Sequence, residues 1–180
     1  MDVQSHLDEA AAIALSHYPD LGLHNVRFVI NPMSRKNFMQ AQPTWISLLK
    51  PKAHRKYVIL ISQRFSRARG DFGLGNLPKD VLVGWLGHEL GHVMDYEGRS
   101  NLNMIAYGVR YLFSQDHVTS VEQAADTFAV MHGMGEYLLA CKEYIINSSD
   151  LDESYKEQIR KYYYAPEDIM ELIQEHAPVA

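Results

Sequence analysis

The chain lacks the features that would place it in an oxidising compartment, in a bilayer or on a polyanion. A single cysteine, Cys141, in 180 residues excludes an intramolecular disulfide and fits a reducing compartment, so a cytoplasmic location is expected. Cys141 itself reads as a small packing residue on a helix. No apolar run approaches the roughly 18 to 20 residues that a membrane-spanning helix requires. The formal net charge of -5 leaves no overall basic footprint of the kind nucleic-acid binding needs. The N-terminal stretch from Met1 to Glu9 has no basic n-region and reads as an amphipathic helix rather than a signal peptide. Internal repeats, low-complexity tracts and long linkers are absent as well.

What remains is a hydrophobic content of 47%, enough for one substantial core. A single domain over 1–180 is expected, with an upper lobe to about 97 and a lower lobe from about 98 around a cleft. The pattern predicts a helix over 3–17, strands over 26–30, 36–41, 44–49 and 56–62, and helices over 103–113, 119–146, 152–163 and 166–175. That order is α+β. Asn31-Pro32 marks a turn after the first strand, and Tyr57-Val58-Ile59-Leu60-Ile61 is rich in β-branched residues. The cations Lys50, Lys52, His54, Arg55 and Lys56, with Arg64, Arg67 and Arg69, read as a solvated loop and strand end. The glycine-rich segment 67–76 reads as a connector or a lip over the cleft. Its Gly73-Leu74-Gly75 lacks the further glycine or lysine of a phosphate cradle.

The chemistry concentrates in His88-Glu89-Leu90-Gly91-His92. Residues four apart on a helix lie on one face, so His88 and His92 can offer ring nitrogens to one metal ion. Glu89 lies beside that face, where its carboxylate can take a proton from water activated at the metal. Pro78 and Asp80 open the helix and Gly98 stops it. Gly84, Gly87 and Gly91 form a stripe without side chains along it, each costing about 1 kcal/mol relative to Ala. Close approach of a neighbouring strand or helix offsets that cost, and a catalytic helix pressed against the underside of a sheet would need it.

Two histidines leave a zinc site one protein ligand short. Asp95 and Gly98 stand where the metzincin motif has its glycine and last histidine, and the inverted H-x-x-E-H pattern is absent. Downstream, Glu122-Gln123-Ala124-Ala125-Asp126 reads as helix with both acids on one face. H-E-x-x-H followed by E-x-x-A-D resembles the gluzincin group of zinc metallopeptidases over the stretch from Gly84 to Val130. The resemblance implies Glu122 as third zinc ligand and Asp126 as the acceptor that orients His88 from behind. It also implies a zincin-like fold: a mixed sheet with a helix in the N-terminal lobe, a mostly helical C-terminal lobe, and the active-site helix between them. In such folds an edge strand, here 44–49 or 56–62, can pair with an extended peptide.

Glu122 has a competing role, because Thr119-Ser120-Val121-Glu122 is also a capping box; in the next frame, Ser120 to Gln123, Gln123 caps and Glu122 is free. Asp126 favours the metal site, since an unpaired carboxylate among Ala125, Phe128, Ala129 and Val130 would be costly to bury. Asp95, Glu97, Asp116 and His117 are the other candidates for third ligand. The expected activity is peptide-bond hydrolysis on a peptide or protein substrate, with one Zn²⁺ held by His88, His92 and Glu122 and with Glu89 as base. Alternatives are a zincin-fold binding or regulatory module, or a zinc hydrolase of a non-peptide amide. Tyr107, Tyr111, Tyr162, Tyr163, Tyr164, His117 and His132 receive no role from sequence.

Overall fold

The computed structural model describes residues 2–21, 25–31, 37–63, 65–69 and 72–176. Its elements are α1 (Val3–Ser16), β1 (Val26–Asn31), β2 (Met39–Pro43), α2 (Trp45–Leu48), β3 (Tyr57–Ser62), α3 (Lys79–Glu97), α4 (Asn101–Phe113), α5 (Gln115–Met131), α6 (Gly135–Asn147), α7 (Glu153–Tyr162) and α8 (Pro166–Glu175). The fold is α+β and mostly helical. Pro32 of the expected turn, the start of the expected strand at Lys36, Arg64 of the basic cluster, and Gly70 and Asp71 of the expected lip lie outside the described residues. Among the described residues no helix is long and apolar enough to cross a membrane.

The sheet is mixed and three-stranded, in the order β1-β3-β2. β1 runs parallel to β3, with Val26 opposite Tyr57, and β2 runs antiparallel to it, with Ala41 opposite Ile59. The continuous apolar run of β3 suits a strand covered on both faces, where alternation is lost. Two expectations about strands fail here. β3 is the centre of the sheet rather than an edge, and residues 44–49 form a helical turn rather than a strand. Pro43 closes the β2 ladder, and the chain then folds back on itself: Ser47 donates its amide and its hydroxyl to the Thr44 carbonyl at 2.9 and 2.8 Å. The edge strand nearest the H-E-x-x-H helix is therefore β2.

α3 is buried without interruption from Val81 to Val93, as a helix enclosed on all sides must be. α1 and β2 cover one side of it, α5 and α6 the other. The glycine stripe faces α5 and α6, not the sheet: a Cβ at Gly84 would stand 2.0 Å from the Tyr137 carbonyl oxygen, and one at Gly91 2.3 Å from that of Ala125. The close approach expected from the stripe exists, with helices as the partner. On the opposite side Tyr18 of the N-terminal segment donates its hydroxyl to the Gly87 carbonyl at 2.7 Å.

The helix expected over 119–146 is two helices. Gly133, at φ +75, takes the left-handed conformation that ends α5, and the Met134 amide reaches back to the Ala129 carbonyl at 3.0 Å, a Schellman closure. α5 also begins earlier than expected, at Gln115, because Ser114 accepts the His117 amide as N-cap. α4 likewise begins at Asn101, capped by Ser100.

Gly91→Ala is expected to destabilise the protein by about 3 kcal/mol or more, since backbone and not a flexible side chain occupies the space. Gly108, with nothing among the described residues within 4 Å of an added Cβ, is the contrast: Gly108→Ala should be neutral or stabilising by up to about 1 kcal/mol. Chemical denaturation of the two variants beside wild type checks both signs.

Candidate metal centre

His88 and His92, one turn apart on α3, point their Nε2 atoms at α5. Each Nε2 lies 3.2 Å from the same carboxylate oxygen, Glu122 Oε2. The three donors form a buried group that can hold a metal ion. A tetrahedral zinc with bonds of about 2.0–2.1 Å spaces neighbouring donors by about 3.3 Å, so both His–Glu separations match that edge without rearrangement.

Asp126, one turn further along α5, accepts the Nδ1–H of His88 at 2.7 Å. This bond selects the tautomer whose Nε2 carries a lone pair facing Glu122. A lone pair opposed to a carboxylate in a buried site repels it unless a proton or a metal ion lies between. His92 is held differently: its Nδ1 is buried without a hydrogen-bond partner among the described residues, and its ring stacks on Tyr96 at 6.2 Å. Glu122 Oε1 accepts the Tyr111 hydroxyl at 2.6 Å, which leaves Oε2 as the oxygen turned to the histidines.

The capping roles considered for Glu122 do not arise, because Gln115 starts the helix and Glu122 lies two turns inside it. The other candidates for third ligand are engaged elsewhere. Asp95 pairs with Arg99 at 2.9 Å, Glu97 accepts the Tyr57 hydroxyl at 2.7 Å, Asp116 is exposed, and His117 packs edge-on against Tyr107. His132 stacks on Tyr18, away from the centre.

Glu89 is buried between α3 and the sheet, and its Oε2 accepts the Ala41 amide of β2 at 2.6 Å. The Ala41 carbonyl accepts the Tyr96 hydroxyl at 3.3 Å. Burial raises the Glu89 carboxyl above its ordinary value, and His92, His88 and the Ala41 amide offset only part of that. A cavity of about 550 Å³ opens onto Glu89, His88, His92 and Glu122.

Lys142 of α6 was not anticipated. It is buried, its Nζ lies 3.0 Å from Asp126 Oδ1 and 4.1 Å from the centre of the Tyr163 ring, and that ring packs against His88. Its signal in the sequence is a lysine at helical spacing from Leu138 and Ile145, on the apolar face of α6. Burial raises the Asp126 carboxyl, but Lys142 and His88 outweigh it and hold the group below its ordinary value. For Glu122 too, burial is outweighed by His92 and His88, and the carboxyl sits well below the usual range. Glu122 and Asp126, both held below their ordinary range, face Lys142 and the two histidines across the buried centre.

Comparison with family models, with curated proteins and with solved structures finds no match.

Without metal, burial disfavours the His88 imidazolium, but Asp126 and Glu122 more than reverse this and raise its pKa to about 9 from 6.5. A folded-state pKa above the unfolded value stabilises fully below the lower value and is lost as pH rises through the upper one. The metal-free protein should therefore lose stability between pH 6.5 and about 9, while His88→Gln does not show that loss; denaturation midpoints across this window check it. Removing the support of Glu122 or His88 by Tyr111→Phe or Asp126→Asn should weaken zinc binding by about 10- to 100-fold, read by competition with a chromogenic chelator.

Proposed function

We propose that this chain is a zinc-dependent metallopeptidase with a zincin-like, gluzincin-type arrangement, hydrolysing peptide bonds in a peptide or protein substrate. The observation that carries this reading is the convergence of His88 Nε2, His92 Nε2 and Glu122 Oε2, at 3.2 Å, on a cavity that also holds Glu89. Two imidazoles and one carboxylate are the donor set of a catalytic zinc with an open position. A purely structural site would have no use for a buried base beside it.

His88, His92 and Glu122 would hold the zinc, which would supply Lewis acidity towards an attacking water. Glu89 takes the proton of that water and returns it to the departing amine, a task suited to a carboxyl whose pKa burial has raised. Asp126 fixes the tautomer of His88, and Tyr111 keeps one oxygen of Glu122 occupied. The single buried thiol of Cys141 supports a reducing, cytoplasmic setting.

Glu89→Gln should retain bound zinc and lose turnover by at least about 10²-fold, the scale of a lost general base; His88→Ala should lose both. Mass-spectrometric reading of an unbiased peptide library, digested by zinc-loaded wild type and by Glu89→Gln, tests this directly. Internal cuts confined to wild type support the peptidase. Undiminished cutting by the variant, or no cutting by zinc-bound wild type, sinks the assignment.

A further inference from the structure

Away from the metal ligands, the least ordinary surface of the molecule is the pair α2 and α4. Three apolar side chains of the α2 turn and its C-cap project into solvent, with Trp45 82%, Ile46 73% and Leu49 89% exposed. α4 buries Met104 and Tyr107 and turns outward Leu102, Ile105, Leu112 and Phe113, the last 85% exposed. The two sets are contiguous. Asn101, at the start of α4, donates its side-chain amide to the carbonyls of Leu48 and Lys50 at 3.0 and 2.9 Å, and buried Arg55 donates to the Asn101 side chain and to the Arg99 carbonyl. Trp45 and Leu48 line the same cavity mouth as Ile105, Val109 and Leu112.

Charge identifies what such a face meets. Between Asp20 and Asp71 the sequence has no acid, yet it holds ten of the chain's 17 Lys and Arg. Between Glu97 and Asp116 it again has no acid, with Arg99 and Arg110 as its charges. Lys50, Lys52, His54 and Lys56 are all exposed and follow directly on the apolar turn. The carboxylates at the end of α3 are occupied, Asp95 by Arg99 and Glu97 by the Tyr57 hydroxyl. In a chain of net charge -5, the two sequence segments that carry these exposed apolar side chains hold no acid.

Protruding Trp, Ile and Leu side chains bordered by lysines are the two components of interfacial binding: apolar groups enter the headgroup region and cations meet anionic lipid. A protein–protein interface would use the apolar contact too, but such interfaces are depleted in lysine relative to the rest of the surface. We propose that the α2–α4 face docks on an anionic phospholipid surface, with the mouth of the metal-site cavity turned towards it. This binding requires no turnover, so it stands or falls separately from the peptidase reading.

The test is sedimentation of the full chain with large unilamellar vesicles of phosphatidylcholine alone and of phosphatidylcholine with phosphatidylserine, at low and high salt. Wild type should partition onto the phosphatidylserine vesicles, bind pure phosphatidylcholine far more weakly, and be released by salt. Lys50→Gln/Lys52→Gln/Lys56→Gln should lower the partition coefficient on the order of a hundredfold, and Trp45→Ala/Leu49→Ala at least about tenfold. Both sets are exposed, so unchanged melting temperatures verify that the variants fold. Brominated lipid should quench the fluorescence of Trp45, whereas Trp85 is buried and should be spared. Absence of binding to phosphatidylserine vesicles at low salt, or equal binding by all three proteins, overturns the proposal. So does a wild-type dimer that Trp45→Ala/Leu49→Ala dissolves without any vesicle binding, which would give the face to a second copy.

Discussion

The metal centre depends on how closely α3 approaches α5. The two helices meet at Gly91, where the Ala125 carbonyl occupies the space of a side chain, and Ala125 lies between Glu122 and Asp126 in the sequence. The point of closest approach is thus at the level of the candidate ligands. One methyl group there would push the helices apart by about an ångström or more. The 3.2 Å separations between Glu122 and both histidines would open with it. Gly84 performs the same service one element on, letting α6 in against Tyr137 and so bringing Lys142 to Asp126. The unfavourable helix propensity of three glycines is offset by contacts that place three carboxylates and a lysine around two histidines.

Those buried charges set a second constraint. Moving a carboxylate out of water costs several kcal/mol unless partners replace its hydration. Each of the three has a different replacement: Lys142 and His88 for Asp126, the histidines and Tyr111 for Glu122, and the Ala41 amide for Glu89. Glu89 is the least compensated of the three, which is why burial raises it while the other two are held down. On the peptidase reading, the difference would divide the labour before any ion is bound. Groups held ionised suit ligation and orientation, and a group with a raised pKa suits proton transfer.

The histidines and Glu89 were legible in the sequence because their geometry is local: four residues on a helix fix the angle between two side chains. Glu122 and Asp126 were legible only through the resemblance and the cost of burying an unpaired acid. Their distance from α3 depends on packing that no local pattern encodes. Residues 44–49 misled because an apolar, β-branched stretch satisfies a strand pattern, whereas Pro43 and the hydrogen bonds of Ser47 to Thr44 decide the outcome. β3 stood as one of two candidates for the edge because strand order is a matter of pairing, not of composition. Ser114 and Gly133 carried the true boundaries of α5 in ordinary capping chemistry, overridden by the stronger apolar periodicity around them. Lys142 escaped notice because one cation on an apolar helix face has no meaning until Asp126 stands opposite.

The Ala41 amide joins the sheet to the chemistry. It lies on the outer edge of β2, where an added strand would seek a donor, and it is already given to Glu89 at 2.6 Å. One N–H cannot serve two acceptors at full strength. A substrate carbonyl that pairs with Ala41 must displace the Glu89 carboxylate from it, and loss of that bond removes an interaction that lowers the Glu89 pKa. Strand addition would then release the base and make it more basic in the same event, with the proton acceptor held back until the edge is filled. The Tyr96 hydroxyl on the Ala41 carbonyl is the weaker tie at 3.3 Å, so the acceptor side of this edge position yields more easily than the donor side. On the peptidase reading, β2 therefore acts as more than a wall of the cleft: occupancy of its edge and readiness of Glu89 are coupled through a single backbone group.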